Sequence, residues 1–235
     1  MSTDREHPLD VLPDGVALCD DGRTRCSWVG NIPGFAPYHD VEWGFPVADE
    51  HHLFEKICLE GFQSGLSWRT ILDKRDAFRE VFLGFDFEKV ARFDASDVER
   101  LLRDARIVRH RGKIEATIHN AGRACEAVEA HGSLGALIWA YEPEPIVRAP
   151  SDPYIPPGKT QASARFAADL KRLGWRFFGP TTAYAFMQAM GLVNDHHPSC
   201  AVWQACESAR DAFVRPQNRC LSDESKTVGA RRSES

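Results

Sequence analysis

Apolar side chains recur at intervals of three and four residues along most of this 235-residue chain, the spacing that predicts α-helices. The clearest example is the stretch LFEKICLEGFQSGLSW, in which Leu53, Ile57 and Glu60 fall on one helix face. Asp49 and Ser67 stand where they can cap this helix and the next one. The sequence contains neither an extended strand-like alternation nor an internal repeat. The pattern therefore predicts an all-α fold.

Later helical patterns set the outline of the C-terminal half. Residues 163–173 are expected to form a helix with Leu173 turned inward. A last helix is predicted to carry His196 and Cys200. Before them, the proline-rich stretch at 142–160 predicts a surface excursion.

The distribution of charged and polar residues divides the chain into three regions. Residues 1–24 form an acidic, flexible leader, and ordered structure is expected to begin near Arg25. Residues 25–206 form one domain, and residues 207–235 are a charged tail that we predict to be disordered. Inside the domain, residues 26–47 lack a helical period and predict an irregular segment.

The composition is that of an ordinary globular protein, with 43% hydrophobic and 27% charged residues. The length is sufficient for one substantial core. Neither an apolar run of membrane-spanning length nor a signal peptide is present, so the expected location is the cytoplasm. A net charge of -5 gives no support to nucleic-acid binding, and any basic surface must be local.

The seven cysteines form an odd, irregular set, which favours free thiols or metal ligands over a disulfide framework. Cys26 and His39 lie in the irregular N-terminal segment, and His196 and Cys200 share one face of the predicted last helix. Together they would form a closed, structural zinc site that ties the two segments together. His197 competes with His196, and spacing does not choose between them. The alternative is two unrelated core thiols and two surface imidazoles.

Glu60 is the candidate catalytic residue, because a carboxylate on an apolar face is unfavourable unless it has a partner or a task. The alternative is a glutamate at the end of the helix whose side chain points into solvent or caps a neighbouring loop. Aromatic residues crowd around it in the sequence: Trp28, Phe35, Tyr38, Trp43 and Trp68. Such a cluster usually belongs to the core, but beside a carboxylate it can also line a slot for a flat, cationic ring.

A basic turn follows at 104–114, between two predicted helices. Its backbone amides and the dipole of the following helix can hold a phosphate. The alternative is a solvated charged turn. Its basic residues are Arg106, Arg109, His110, Arg111 and Lys113.

With these residues assembled, the sequence closely resembles the bacterial 3-methyladenine DNA glycosylase I family. The matching stretches are CSW, YHDVEWGFP, LFEKICLEGFQSGLSW, RHRGKI and FFGPTTAYAFMQAMGLVNDHH, and the resemblance covers residues 25 to 205. It implies a helical fold related to the helix-hairpin-helix DNA glycosylases. It also implies a base excision repair enzyme, a hydrolase that removes 3-methyladenine from alkylated double-stranded DNA. A monomer is the default expectation for a protein that clamps a duplex.

The resemblance also implies roles for individual residues. The family's zinc ligands fall on Cys26, His39, His196 and Cys200, which favours His196 over His197. Its base-recognition carboxylate falls on Glu60, its pocket aromatics on Trp28, Tyr38 and Trp68, its wedge turn on Gly65 and Leu66, and its DNA-binding hairpin on residues 105–113, with Arg109, Arg111 and Lys113. The chain departs from the family at Phe35, where a tyrosine is frequent, and at Arg106, where a glycine is frequent.

The mechanism implied is extrusion of the damaged base, with Leu66 filling the vacated space and Trp68 and Trp28 flanking the ring. Glu60 then accepts hydrogen bonds from the amino edge of the cationic base. We place Lys56 on a different helix face from Glu60, so that a Schiff-base lyase step is not indicated. Two rival functions are a non-catalytic, zinc-stapled protein that binds lesion DNA and a metal-dependent hydrolase that uses zinc-bound water.

Overall fold

Helix α2 (Glu50–Gln63) lies at the centre of the core in the computed structural model of the protein, which describes residues 12–145 and 156–218. Every residue from 53 to 62 is buried, so both the apolar and the charged side chains of this helix lie inside the protein. Other helices contact it on several sides. The helices are α1 (Phe35–Val41), α2, α3 (Trp68–Leu72), α4 (Arg75–Val81), α5 (Phe87–Val90), α6 (Ala95–Arg103), α7 (Arg111–His131), α8 (Leu134–Trp139), α9 (Gln161–Arg172), α10 (Pro180–Ala189) and α11 (Trp203–Ala212).

The prediction of an all-α fold is confirmed by this architecture. The only strands among the described residues are two short ones, β1 (Val16–Leu18) and β2 (Thr24–Cys26), paired antiparallel with Val16 opposite Cys26. None of the helices in the described part of the chain is long and apolar enough to cross a lipid bilayer.

Side-chain caps fix where α2 and α3 begin. The Asp49 carboxylate accepts a hydrogen bond from the backbone N–H of His52, and the Ser67 hydroxyl accepts one from Thr70. Between the two helices, Gly65 adopts a φ of +79°, a conformation that other residues rarely adopt. The chain therefore turns sharply at the end of α2, as the sequence predicts.

The N-terminal boundary of ordered structure was predicted too late in the chain. The β-hairpin begins at Val16, before the expected start near Arg25. Helix α1 also lies inside the stretch predicted to be irregular; its proline stands in the first turn, where its missing N–H breaks no helical hydrogen bond. Residues 1–11 of the predicted leader lie outside the described residues.

The C-terminal prediction was wrong in a related way. Residues 191–202 form turns, and the last helix, α11, begins only at Trp203, so it carries neither His196 nor Cys200. This helix continues past the predicted boundary at 206, and Arg210 on it is buried and donates to Glu142. Residues 219–235 of the predicted tail and 146–155 of the proline-rich stretch lie outside the described residues.

Helix α9 also differs from its prediction at its C-terminal end. Leu173, predicted to point inward, is nearly half exposed, because it follows the last helical residue. Its place in the core is taken by Trp175, which follows Gly174 and its φ of +87°.

Candidate active site

Four predicted metal ligands converge in one buried cluster, which joins the N-terminal hairpin, α1 and the 191–202 segment. The ligand atoms of Cys26, His39, His196 and Cys200 all lie within 4.8 Å of one another. His39 stands on α1, and Cys26 ends β2. His196 and Cys200 reach the cluster from a turn instead of a helix, with Cys200 N–H donating to the carbonyl of His197.

The distances fit a tetrahedral metal ion. Two nitrogens at zinc bond lengths lie about 3.3 Å apart across a tetrahedron, and a nitrogen and a sulfur about 3.6 Å apart. The Nε2 of His39 and the Nδ1 of His196 are 3.1 Å apart. Each of the two sulfurs lies 3.7 Å from His196 Nδ1, and Cys200 Sγ lies 3.6 Å from His39 Nε2. The four residues could therefore hold one metal ion.

Both histidine rings are oriented by contacts on the side away from the cluster. His39 Nδ1 lies 2.8 Å from an Asp40 carboxylate oxygen, and His196 Nε2 lies 2.9 Å from the carbonyl oxygen of Trp43. Contacts of this kind fix which ring nitrogen a metal-binding histidine presents. The backbone must pass close to His196 at Gly44, where a Cβ would stand only 3.0 Å from the ring.

His196, and not His197, enters the cluster. The ring of His197 accepts a hydrogen bond from the Ser199 N–H through Nδ1. Its backbone N–H points at the Cys26 sulfur, a contact typical of thiolate sites. The pKa of Cys200 is lowered, chiefly by the hydrogen bond from the Cys26 thiol, so one sulfur of the pair is already suited to bind a cation.

Glu60 is buried, with 4% of its surface exposed, and its partner is Lys56. The Lys56 Nζ lies 2.8 Å from Glu60 Oε1. The prediction that Lys56 occupies a different helix face is therefore wrong. The two residues are four positions apart, which is one turn of an α-helix, so their side chains lie one above the other.

Lys56 has two more contacts, both with residues predicted to bind the base. Its Nζ donates to the Tyr38 hydroxyl at 2.9 Å and lies 3.5 Å from the centre of the Trp68 ring. Burial disfavours the ammonium form, but the attraction of Glu60 and Tyr38 outweighs it, and the pKa of Lys56 is raised. The lysine is therefore charged in this pocket.

The aromatic residues form a chain around this ion pair. Tyr38 packs against Trp68 with ring centres 5.3 Å apart, and Trp28 meets Tyr38 edge to face at 6.5 Å. Phe35 is buried and meets Trp28 edge to face, with ring centres 5.8 Å apart. The indole N–H of Trp68 is buried and has no hydrogen-bond partner among the described residues, so it can donate to a ligand. We refer to Tyr38, Lys56, Glu60 and Trp68, three of which are predicted to contact the base, as the base pocket.

The turn after α2 presents an apolar side chain to solvent beside this pocket. Leu66 is 40% exposed, and its backbone N–H closes the turn by donating to Gln63. The amino group of Lys113, on α7, donates to the carbonyls of Phe62 and Ser64 at the end of α2. Lys113 was predicted to contact DNA, but its side chain is buried and holds the turn in place instead.

The loop between α6 and α7 carries the other predicted DNA contacts. Arg109 is exposed, and no described carboxylate forms an ion pair with it. Arg111 is exposed and paired with Glu99 at 2.5 Å. Arg106 binds both Asp104 and Glu80, so its guanidinium is already occupied. Of these three arginines, Arg109 alone has no ion-pair partner among the described residues and can bind a phosphate without exchanging one.

Sequence reasoning missed two features of this region. The first is the contact between Lys56 and Glu60, which their i,i+4 spacing predicts because it places both side chains on one helix face. The second is Phe177, a half-exposed aromatic residue with a φ of +55°, which packs edge to face on His110. The strained backbone of Phe177 has no signal in the sequence.

Comparisons with known proteins agree on one relationship. A profile of the methyladenine glycosylase family matches residues 28–204. The DNA-3-methyladenine glycosylase of Haemophilus influenzae is 46% identical over 179 residues, which cover 75% of this chain and 96% of that protein. A crystal structure of 3-methyladenine DNA glycosylase I superposes with a TM-score of 0.69 at 47% identity, over 75% of this chain and 98% of the other. A variant of such an enzyme in complex with 3-methyladenine superposes equally well, with a TM-score of 0.69 at 31% identity, over 83% and 98% of the two chains.

Proposed function

The chain belongs to the methyladenine glycosylase family, and we propose that it hydrolyses the N-glycosidic bond of 3-methyladenine in alkylated double-stranded DNA. The observation that carries the proposal is the buried carboxylate of Glu60, enclosed with Tyr38 and Trp68 in the base pocket. An enzyme that acts on a base must extrude it from the duplex into such a pocket. The reaction is the first step of base excision repair.

Glu60 recognises the base by its charge. Methylation at N3 leaves the adenine cationic, and a buried anion is favoured opposite a cation but not opposite neutral adenine. The carboxylate accepts hydrogen bonds from the amino edge of the base, while the rings of Trp68 and Tyr38 contact its faces. Trp28 packs edge to face against Tyr38 and fixes the position of that ring, and it does not flank the base directly.

The chemistry needs little acid catalysis. The positive charge already weakens the bond between the sugar carbon and the base, and the bonding electrons go to the ring, which leaves as neutral 3-methyladenine. Water adds to the sugar carbon and gives up a proton. Recognition and positioning are therefore the main tasks of the protein.

We further propose that the enzyme is monofunctional. The spacing argument for this expectation was wrong, because Lys56 lies in the pocket. A different reason supports it: a Schiff base requires a neutral amine within reach of the sugar carbon, and Lys56 is paired as an ammonium with Glu60 until a base enters. A covalent adduct trapped with borohydride on lesion DNA would contradict the assignment.

We assign the contacts with the duplex to the two exposed turns. Leu66, oriented by Gly65, fills the space that the extruded base leaves. Arg109 and Arg111, with the backbone amides at the start of α7, bind phosphates in the manner of a helix-hairpin-helix motif. A DNA substrate implies that the protein is located in the compartment that holds the chromosome, which is the cytoplasm in bacteria. We expect the protein to act as a monomer.

The metal that fits the cluster is Zn²⁺, held by Cys26, His39, His196 and Cys200. Four protein ligands leave no position for a substrate, so the ion would be structural and would join the N-terminal segment to the 191–202 turns. This arrangement does not favour a metal-dependent hydrolase.

Survival of cells tests the proposal in vivo. Expression of the full-length chain should increase the survival of bacteria that lack 3-methyladenine glycosylase activity when they are treated with a methylating agent. A Glu60→Gln variant expressed at the same level should not. If neither protein protects the cells although both accumulate as folded protein, the proposed activity is wrong, and a protein that binds lesions without cleaving becomes the better explanation.

A further inference from the structure

Every group assigned to recognition of the base is already in contact with Lys56. Its ammonium lies 2.8 Å from Glu60 Oε1, 2.9 Å from the Tyr38 hydroxyl oxygen and 3.5 Å from the centre of the Trp68 ring. The last distance is close to the spacing of stacked bases, about 3.4 Å. An extruded purine and this ammonium cannot lie on the same face of Trp68 at the same time.

The ammonium also reproduces the chemistry of the methylated base. It is a positive charge over an aromatic face, and it donates hydrogen bonds to a carboxylate and a hydroxyl. Both Lys56 and Glu60 are 4% exposed, so the pair is compensated inside the protein and not by solvent. The pocket of the DNA-free protein thus contains its own cation.

We propose that Lys56 is an internal competitor, whose ammonium occupies the base pocket and must be displaced before any base can enter. This inference rests on the proposed function. Displacement removes the partner of a buried carboxylate, which is unfavourable unless another cation replaces it. A 3-methylated base brings a positive charge in place of the ammonium. Normal adenine brings only a ring that contacts Trp68 and groups that form hydrogen bonds.

Lys56 and Glu60 then have separable tasks. Glu60 sets the preference for a cationic over a neutral base, because it contacts whichever base is bound. Lys56 adds a free-energy cost of displacement that is the same for every base, since the same ammonium must leave in each case. The contacts of an undamaged purine do not offset this cost.

Binding of two small probes to the full-length protein tests this division. The probes are 3,9-dimethyladeninium, a permanent cation in which a methyl group replaces the sugar, and neutral 9-methyladenine. Lys56→Met removes the competitor and should tighten binding of both probes by similar factors of at least about ten, as expected when the binding-competent fraction rises. Lys56→Arg retains the cation and should not tighten either. Unchanged or weaker binding by Lys56→Met would overturn the proposal.

Chemical labelling of the wild-type protein supplies a second test that needs no variant. Acetic anhydride modification of Lys56, followed by peptide mass spectrometry, should become faster when 3,9-dimethyladeninium saturates the pocket, because the displaced side chain reaches solvent. Stronger protection of Lys56 in the complex would show that the lysine stays in place, and the proposal would fail. Excision of 3-methyladenine by the same preparation reports separately on the proposed function, so the two can fail independently.

Discussion

Lys56 and Glu60 face each other across one turn of α2, with 2.8 Å between Nζ and Oε1 and only 5% of either side chain exposed. The carboxylate that we propose recognises the base is therefore also part of the internal charge balance of the core. A change at Glu60 must affect stability as well as activity.

Glu60→Gln is expected to lower the rate of 3-methyladenine excision at least about 100-fold, because the amide cannot compensate a cationic base. It should also lower the free energy of unfolding by about 2 kcal/mol, since Lys56 keeps a neutral partner only. Single-turnover base release and urea denaturation measure the two effects.

Glu55→Gln is the matched control for that variant. Glu55 is also buried on α2, and it pairs with Arg79 at 2.9 Å, outside the base pocket. It should lose similar stability and keep near wild-type excision. Equal loss of excision in both variants would mean that Glu60 acts through stability alone.

Leu66→Ala is expected to slow excision from duplex DNA about tenfold, and excision from single-stranded DNA much less, because a wedge matters only where a base must be unstacked. The side chain is 40% exposed, so the melting temperature should hardly change. Leu83→Ala, at a leucine 49% exposed in another turn, is the control. An equal loss on both DNA forms would exclude the wedge role.

Arg109→Ala should weaken binding to duplexes of any sequence and reduce the salt dependence of log Kd by about one unit, the signature of one lost phosphate contact. Titrations at several salt concentrations measure this slope. Arg92→Ala removes another exposed arginine, in the segment after α5, and should leave the slope unchanged. A wild-type slope in Arg109→Ala would remove this residue from the interface.

The purified protein is expected to contain one zinc ion per chain, measurable by elemental mass spectrometry. Cys200→Ser should lose the metal and more than about 4 kcal/mol of unfolding free energy, because the metal joins two segments distant in sequence. Cys58→Ser makes the same chemical change at a buried cysteine outside the cluster and should keep its zinc. A metal-free wild-type protein as stable as the zinc-loaded one would contradict the structural role.

The sequence predicted which residues come together better than it predicted the backbone that presents them. The caps at Asp49 and Ser67 and the buried stripe through Glu60 follow from local rules, and the structure shows all three. The grouping of His196 with Cys200, which the structure also shows, rested partly on a helix that does not exist there. A turn brings the two side chains together as well as a helix does, because the cluster requires a short distance between the ligand atoms and no particular backbone conformation.

Long-range pairing explains what the sequence did not reveal. Arg210 belongs to the ordered structure because Glu142, 68 residues away, accepts its hydrogen bond, and nothing local in the polar stretch beyond 206 signals this. Lys113 looked like a phosphate ligand until the structure placed its amino group against the end of α2. In both cases the partner of a charged side chain lies far along the chain.

Chromatography of the bases released from methylated duplex DNA by the purified full-length protein tests the central claim most directly. The account predicts free 3-methyladenine in the supernatant, with 7-methylguanine left in the DNA and normal purines untouched. Tight binding to the methylated duplex without any released base would contradict it, and would identify the protein as one that recognises lesions without excising them.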